Sequence, residues 1–70
     1  MMPLSLAGRG EEVIIRRVGG SPEVRQHLEN LGFVPGSLVS VVNTLGGNLI
    51  VKVKESRVAI NDDMARRIMV

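Results

Sequence analysis

Residues 37 to 54 read Ser37-Leu38-Val39-Ser40-Val41-Val42, then Asn43-Thr44-Leu45-Gly46-Gly47-Asn48, then Leu49-Ile50-Val51-Lys52-Val53-Lys54. Two β-branched runs flank a segment with Gly-Gly-Asn at its heart, the pattern of an antiparallel hairpin. In the second run Leu49, Val51 and Val53 share one face, while Lys52 and Lys54 share the other. That alternation marks a half-buried strand with its lysines toward water, where they also discourage edge pairing.

Upstream of the hairpin lies Gly32-Phe33-Val34-Pro35-Gly36, a loop because its proline and two glycines leave no room for regular structure. Before it a helix start is well marked. Ser21 is a cap, Pro22 fits the first helical position, and Glu23 brings negative charge to the positive end of the dipole. Val24, Leu28 and Leu31 form one apolar stripe, and Gly32 is the expected left-handed terminator. A helix of roughly ten residues is marginal alone and must lie on a sheet. Further back, Glu11-Glu12-Val13-Ile14-Ile15-Arg16-Arg17-Val18 reads as a first strand running into Gly19-Gly20. Val13 and Ile15 share one face and Ile14 and Val18 the other, which fits a bulge or burial on both sides.

Downstream, Arg57-Val58-Ala59-Ile60 is a short fourth strand. Asn61-Asp62-Asp63 then caps a brief helical turn ending in Arg66-Arg67, acids first and bases last as the dipole favours. Ile68-Met69-Val70 is a final apolar strand, left unpaired in this reading and so a route to a homodimer. The sum is a mostly β, partly open SH3-like barrel of about five strands with one short inserted α-helix, a single domain over residues 1–70.

Composition narrows the function classes. The chain has no cysteine, so disulfides and thiolate metal sites are excluded, and 44% apolar residues argue against disorder. Neither a secretory leader nor an apolar run of about 20 residues is present, which places the expected location in the cytoplasm. Nine basic against seven acidic residues give a formal charge of only +2. That balance does not predict a dedicated nucleic-acid binder, although Arg16, Arg17, Arg66 and Arg67 could form a patch for an RNA-associated barrel. Phe33 is the sole aromatic residue. Base stacking and proline-rich peptide docking both need aromatic platforms, so neither use of a small barrel is expected.

Catalysis is not expected. His27 is the only histidine, and the hydroxyl residues have no other plausible base. Glu23 and His27, four apart on the helix, are the one candidate metal pair for a divalent transition metal, Fe2+ or Zn2+. Two ligands are too few for a tight site, so Asp62, Asp63 or a second chain would have to contribute. The plainer reading is a helix pair exchanging a hydrogen bond.

The order of these features resembles the FeoA-type domains. Leu28-Glu29-Asn30-Leu31-Gly32-Phe33-Val34-Pro35-Gly36 and the valine strand after it carry the likeness. It continues through Gly46-Gly47-Asn48-Leu49-Ile50-Val51-Lys52-Val53, Arg57 to Ile60, and Ala65, Ile68 and Val70. The resemblance implies an SH3-like barrel serving bacterial ferrous iron uptake as a cytoplasmic accessory. Its partner would be a FeoB-type permease, touching the membrane only through that partner, with no nucleic acid involved. Transition-metal binding is part of the family's description, and no residue here maps onto a universal site. Related domains end metal-dependent repressors of the DtxR type, which gives the alternative of a regulatory barrel. Within the motif Leu31, Gly32, Pro35 and Gly36 are structural. Phe33 and Val34 either cap the open end of the barrel or point outward. With Leu45 they are the expected partner contacts.

Overall fold

The computed structural model describes residues 1–70. A 3-10 turn at Leu4–Leu6 is followed by β1 (Glu12–Ile14), β2 (Arg17–Val18), α1 (Pro22–Asn30), β3 (Leu38–Leu45), β4 (Asn48–Val53), β5 (Ser56–Asn61), α2 (Asp62–Arg67) and β6 (Ile68–Met69). The strands form two antiparallel sheets, one of order β1-β3-β4-β5 and one of β2-β6. The architecture is SH3-like and mostly β, and the barrel does not close.

Six strands stand where about five were expected, because the segment 11–18 divides between the two sheets. Val13 lies opposite Val39 and Ile14 opposite Leu38, whereas Arg17 pairs with Met69 and Val18 with Ile68. Ile15 marks the change of partner and is fully buried. Its N–H donates to the Ser37 carbonyl at 2.9 Å, and the next N–H, from Arg16, donates to Met69 at 2.8 Å. The ambiguous facing of Val13, Ile14 and Ile15 is the trace of that switch.

The hairpin is tighter than the sequence suggests. β3 runs to Leu45, and only Gly46 and Gly47 turn, with φ of 52° and 85°. Positive φ at both positions is the type I′ geometry that matches strand twist. A bulge between Val41 and Asn43 shifts the register, so Val39 faces Val53 and Val41 faces Val51 before it, and Thr44 faces Leu49 after it. Lys54 and Glu55 make the second two-residue turn, with Lys54 at φ 56°.

The terminal strand is not unpaired. β2 lines one side of β6, and on the other Pro3 bridges to Met69 while Met2 and Val70 exchange hydrogen bonds of 2.9 and 2.8 Å. The premise for a dimer through that strand therefore fails. The free edges of the larger sheet are those of β1 and β5.

Thirteen buried residues form one cluster between the sheets and α1, all apolar, including Leu4, Ile15, Leu28, Phe33, Val51 and Ile68. No polar or charged side chain is buried. Both helices are capped as their sequences imply. The Ser21 hydroxyl accepts from the Val24 N–H at 3.3 Å, and the Asn61 side chain accepts from the Met64 N–H at 2.8 Å.

Candidate functional site

The end of α1 decides where the family motif points. Gly32 has φ 107°; its N–H donates to Glu29 and the Phe33 N–H donates to Leu28, each at 2.9 Å. This is the Schellman arrangement, which brings the residue after the glycine onto the one five positions earlier. Phe33 accordingly packs with Leu28 inside the core, and both are 0% exposed. Phe33 is thus corrected from surface contact to core residue, because the backbone turn at Gly32 aims it inward. Leu31 is half-buried against the same core. Pro35 and Gly36 are exposed, and Gly36, at φ 92°, ties the loop to the switch residue by donating to the Ile15 carbonyl at 2.7 Å.

The other two expected contacts lie apart. Val34 is half-buried next to the start of β3, and Leu45 is 57% exposed at the far end of that strand. With about 3.3 Å of rise per residue, an eight-residue strand separates its ends by roughly 23 Å when straight. They do not make one patch. What the fold does bring together is Ile14 and Leu38, direct cross-strand partners that are 48% and 50% exposed on the outer face of β1 and β3. Strand alternation carries the signal for this pair, since one step along Val39 is buried and Val13 packs, partly buried, against the core.

Glu23 and His27 are both exposed on α1, and neither takes part in a side-chain hydrogen bond or ion pair. The helix's side-chain bond is instead Gln26 to Asn30 at 3.0 Å. No group of three or more His, Cys, Asp or Glu side chains is assembled anywhere. Asp62 and Asp63 belong to α2 and hold Arg66 at 3.1 and 2.8 Å. Those pairs also take Arg66 out of the basic set, and the Arg67 side chain lies along Gly20. Arg16 and Arg17 remain exposed on the segment that links the two sheets.

Two shallow open grooves flank β1. One, of about 520 Å³, is lined by Leu38, Ser40, Lys52, Lys54, Glu12 and Glu55. The other, of about 580 Å³, lies against Met1, Met2, Ile14 and Val70. No helix is long and apolar enough to cross a membrane.

An all-apolar core under two antiparallel sheets, with apolar side chains left on the outer face, defines a small SH3-like β domain. The chain belongs to the FeoA family, whose domain model it matches over residues 2–70. It is 36% identical over 70 residues to a Methanocaldococcus jannaschii protein named for Fe(2+) transport, covering 100% of this chain and 85% of that one. A crystal structure of an iron uptake regulatory protein, FeoA, superposes with TM-score 0.88 at 31% identity, covering 96% of this chain and 91% of the other. A Stenotrophomonas maltophilia FeoA solved with zinc, described as a procaryotic SH3 domain protein, superposes with TM-score 0.81 at 25% identity over 99% and 88% of the two chains. A manganese-dependent transcriptional repressor shares the fold, with TM-score 0.85 at 17% identity over 94% of this chain and 38% of that one. The family is one of ferrous iron transport.

Proposed function

We propose that this chain is an accessory protein of ferrous iron uptake that docks on the cytoplasmic part of a FeoB-type permease and modulates it. Membership of the FeoA family along almost the whole chain carries this reading. Physical support comes from the surface. Ile14 and Leu38 sit side by side and exposed, and adjacent apolar side chains at a protein surface suit a docking contact. Leu45 is a second contact at the opposite end of β3.

The test is binding of the purified chain to detergent-solubilised permease by biolayer interferometry. Leu38→Glu and Ile14→Glu are expected to weaken binding at least about tenfold, the effect of losing a contact worth roughly 1.4 kcal/mol. Both positions are half exposed, so circular dichroism should show the fold intact. Undiminished binding by both variants would move the contact elsewhere. A wild-type chain that fails to bind the permease at all would end the accessory reading.

A further inference from the structure

β4 is an inner strand of the larger sheet, with β3 on one side and β5 on the other. Lys52, exposed on its outer face, therefore guards no free edge. Its direct partner on β5 is Arg57, also exposed, and its partner on β3 is Ser40. The two-residue turn at Lys54 and Glu55 closes on Val53 and Ser56, a hydrogen-bonded pair. Lys52 and Arg57 are the next pair, of the non-bonded kind, in which side chains stand closest. Like charges set directly opposite one another repel and weaken a sheet. No carboxylate relieves these two. The ion pairs of the molecule both belong to Arg66, and Glu12, the acid of the same row, is separated from Lys52 by Ser40.

Apolar side chains flank the cationic pair along the strands. Ile14 and Leu38 stand on one side, and Ile50 and Ala59, cross-strand partners of each other, stand on the other. Leu38 and Lys52 line the same groove of about 520 Å³. A partner that covers Ile14 and Leu38 therefore brings Lys52 under the same cover. Taking cations out of water is costly unless an anion meets them there.

We propose that the partner surface docking on this face carries an aspartate or glutamate that seats against Lys52 and Arg57. The Arg57 guanidinium offers that carboxylate two parallel N–H donors, and the Lys52 ammonium adds a charged donor from the neighbouring strand. Apolar residues on either side of the acid cover Leu38 and Ile50. The contact rests on the docking reading above and specifies its chemistry: one acid set among apolar side chains. No aromatic residue lies on this face, Phe33 being buried, so nucleic-acid bases find nothing to stack on. Lys52, Lys54 and Arg57 also fall short of the roughly four to eight cations that mark a site for anionic lipid.

The test is biolayer interferometry against detergent-solubilised FeoB-type permease, with Lys52→Glu, Arg57→Glu and a control, Arg25→Glu. All three change the net charge by the same amount, and Arg25 is exposed on α1 rather than on the sheet. Lys52→Glu and Arg57→Glu are each expected to weaken binding at least about tenfold, because each sets a carboxylate against the partner's own. Their thermal midpoints should hold or rise, since each variant turns a repelling cross-strand pair into an attracting one. A purely structural role for either cation would lower the midpoint instead. Arg25→Glu should bind as wild type does, its charge being screened from the contact. Wild-type affinity in both sheet variants would overturn the proposal and leave docking through Ile14 and Leu38 standing. An equal loss in all three variants would also overturn it, marking an effect of net charge alone. A wild-type chain that does not bind overturns both readings. If Lys52→Glu does not fold, Arg57→Glu, on the edge strand, decides.

Discussion

Replacing Phe33 by alanine removes the largest fully buried side chain, at the point where α1 is locked onto the sheet. Phe→Ala in a core costs about 3–5 kcal/mol, through lost burial and the cavity left behind. At roughly 0.05–0.15 kcal/mol per residue, a chain of 70 residues has about 3.5–10 kcal/mol in total. The variant should therefore lose from roughly a third to all of its stability at 25 °C. Phe33→Leu keeps most of the volume and should cost less than about 1.5 kcal/mol. At about 4–8 °C per kcal/mol for a domain this size, its thermal midpoint should fall by up to roughly 12 °C. Urea titration followed by far-ultraviolet circular dichroism is the suitable assay, because the chain has no tryptophan or tyrosine to report by fluorescence. A Phe33→Ala variant that folds with a loss under about 1 kcal/mol would refute the inward placement and return Phe33 to the surface.

Lys54 is the only non-glycine residue with positive φ, so Lys54→Gly should raise stability by up to about 1 kcal/mol in the same titration, relief of left-handed strain being partly offset by glycine's entropy. Asn61→Ala removes the cap of α2 and should cost about 1 kcal/mol, with Asn61→Ser recovering most of it. Glu23 and His27 form at most a weak two-ligand site; calorimetric zinc titration of His27→Ala should show that binding lost, and coincident curves for variant and wild type would discard the pair.

Much of this fold is legible locally. Ser21, Pro22 and Gly32 bound α1 to within a residue, and the lysine-valine alternation of β4 gives its buried face directly. The division of residues 11–18 is not local. Nothing within Val13-Ile14-Ile15-Arg16 states that β3 will pair with one half and β6, some 50 positions later, with the other. The site was half legible. The spacing of Leu28 and Phe33 around a terminal glycine already implies the inward contact of a Schellman motif, and reading the loop by its proline alone hides that. Leu38 and Ile14 were open to the same alternation rule that explains β4. Their pairing, however, needed the register between β1 and β3, which only the three-dimensional arrangement supplies.

The change of partner at Ile15 also bears on how the molecule comes apart. One unbroken stretch of backbone belongs to both sheets, and its buried pivot is anchored to Ser37 and Gly36 on the β3 side. Freeing β6 from β2 leaves Ile15 still held by β3, whereas pulling β1 from β3 drags the pivot out of the core both sheets share. β6 in turn carries Ile68, fully buried in the same cluster, so opening the smaller sheet exposes the core both sheets share. The two sheets are therefore one cooperative unit.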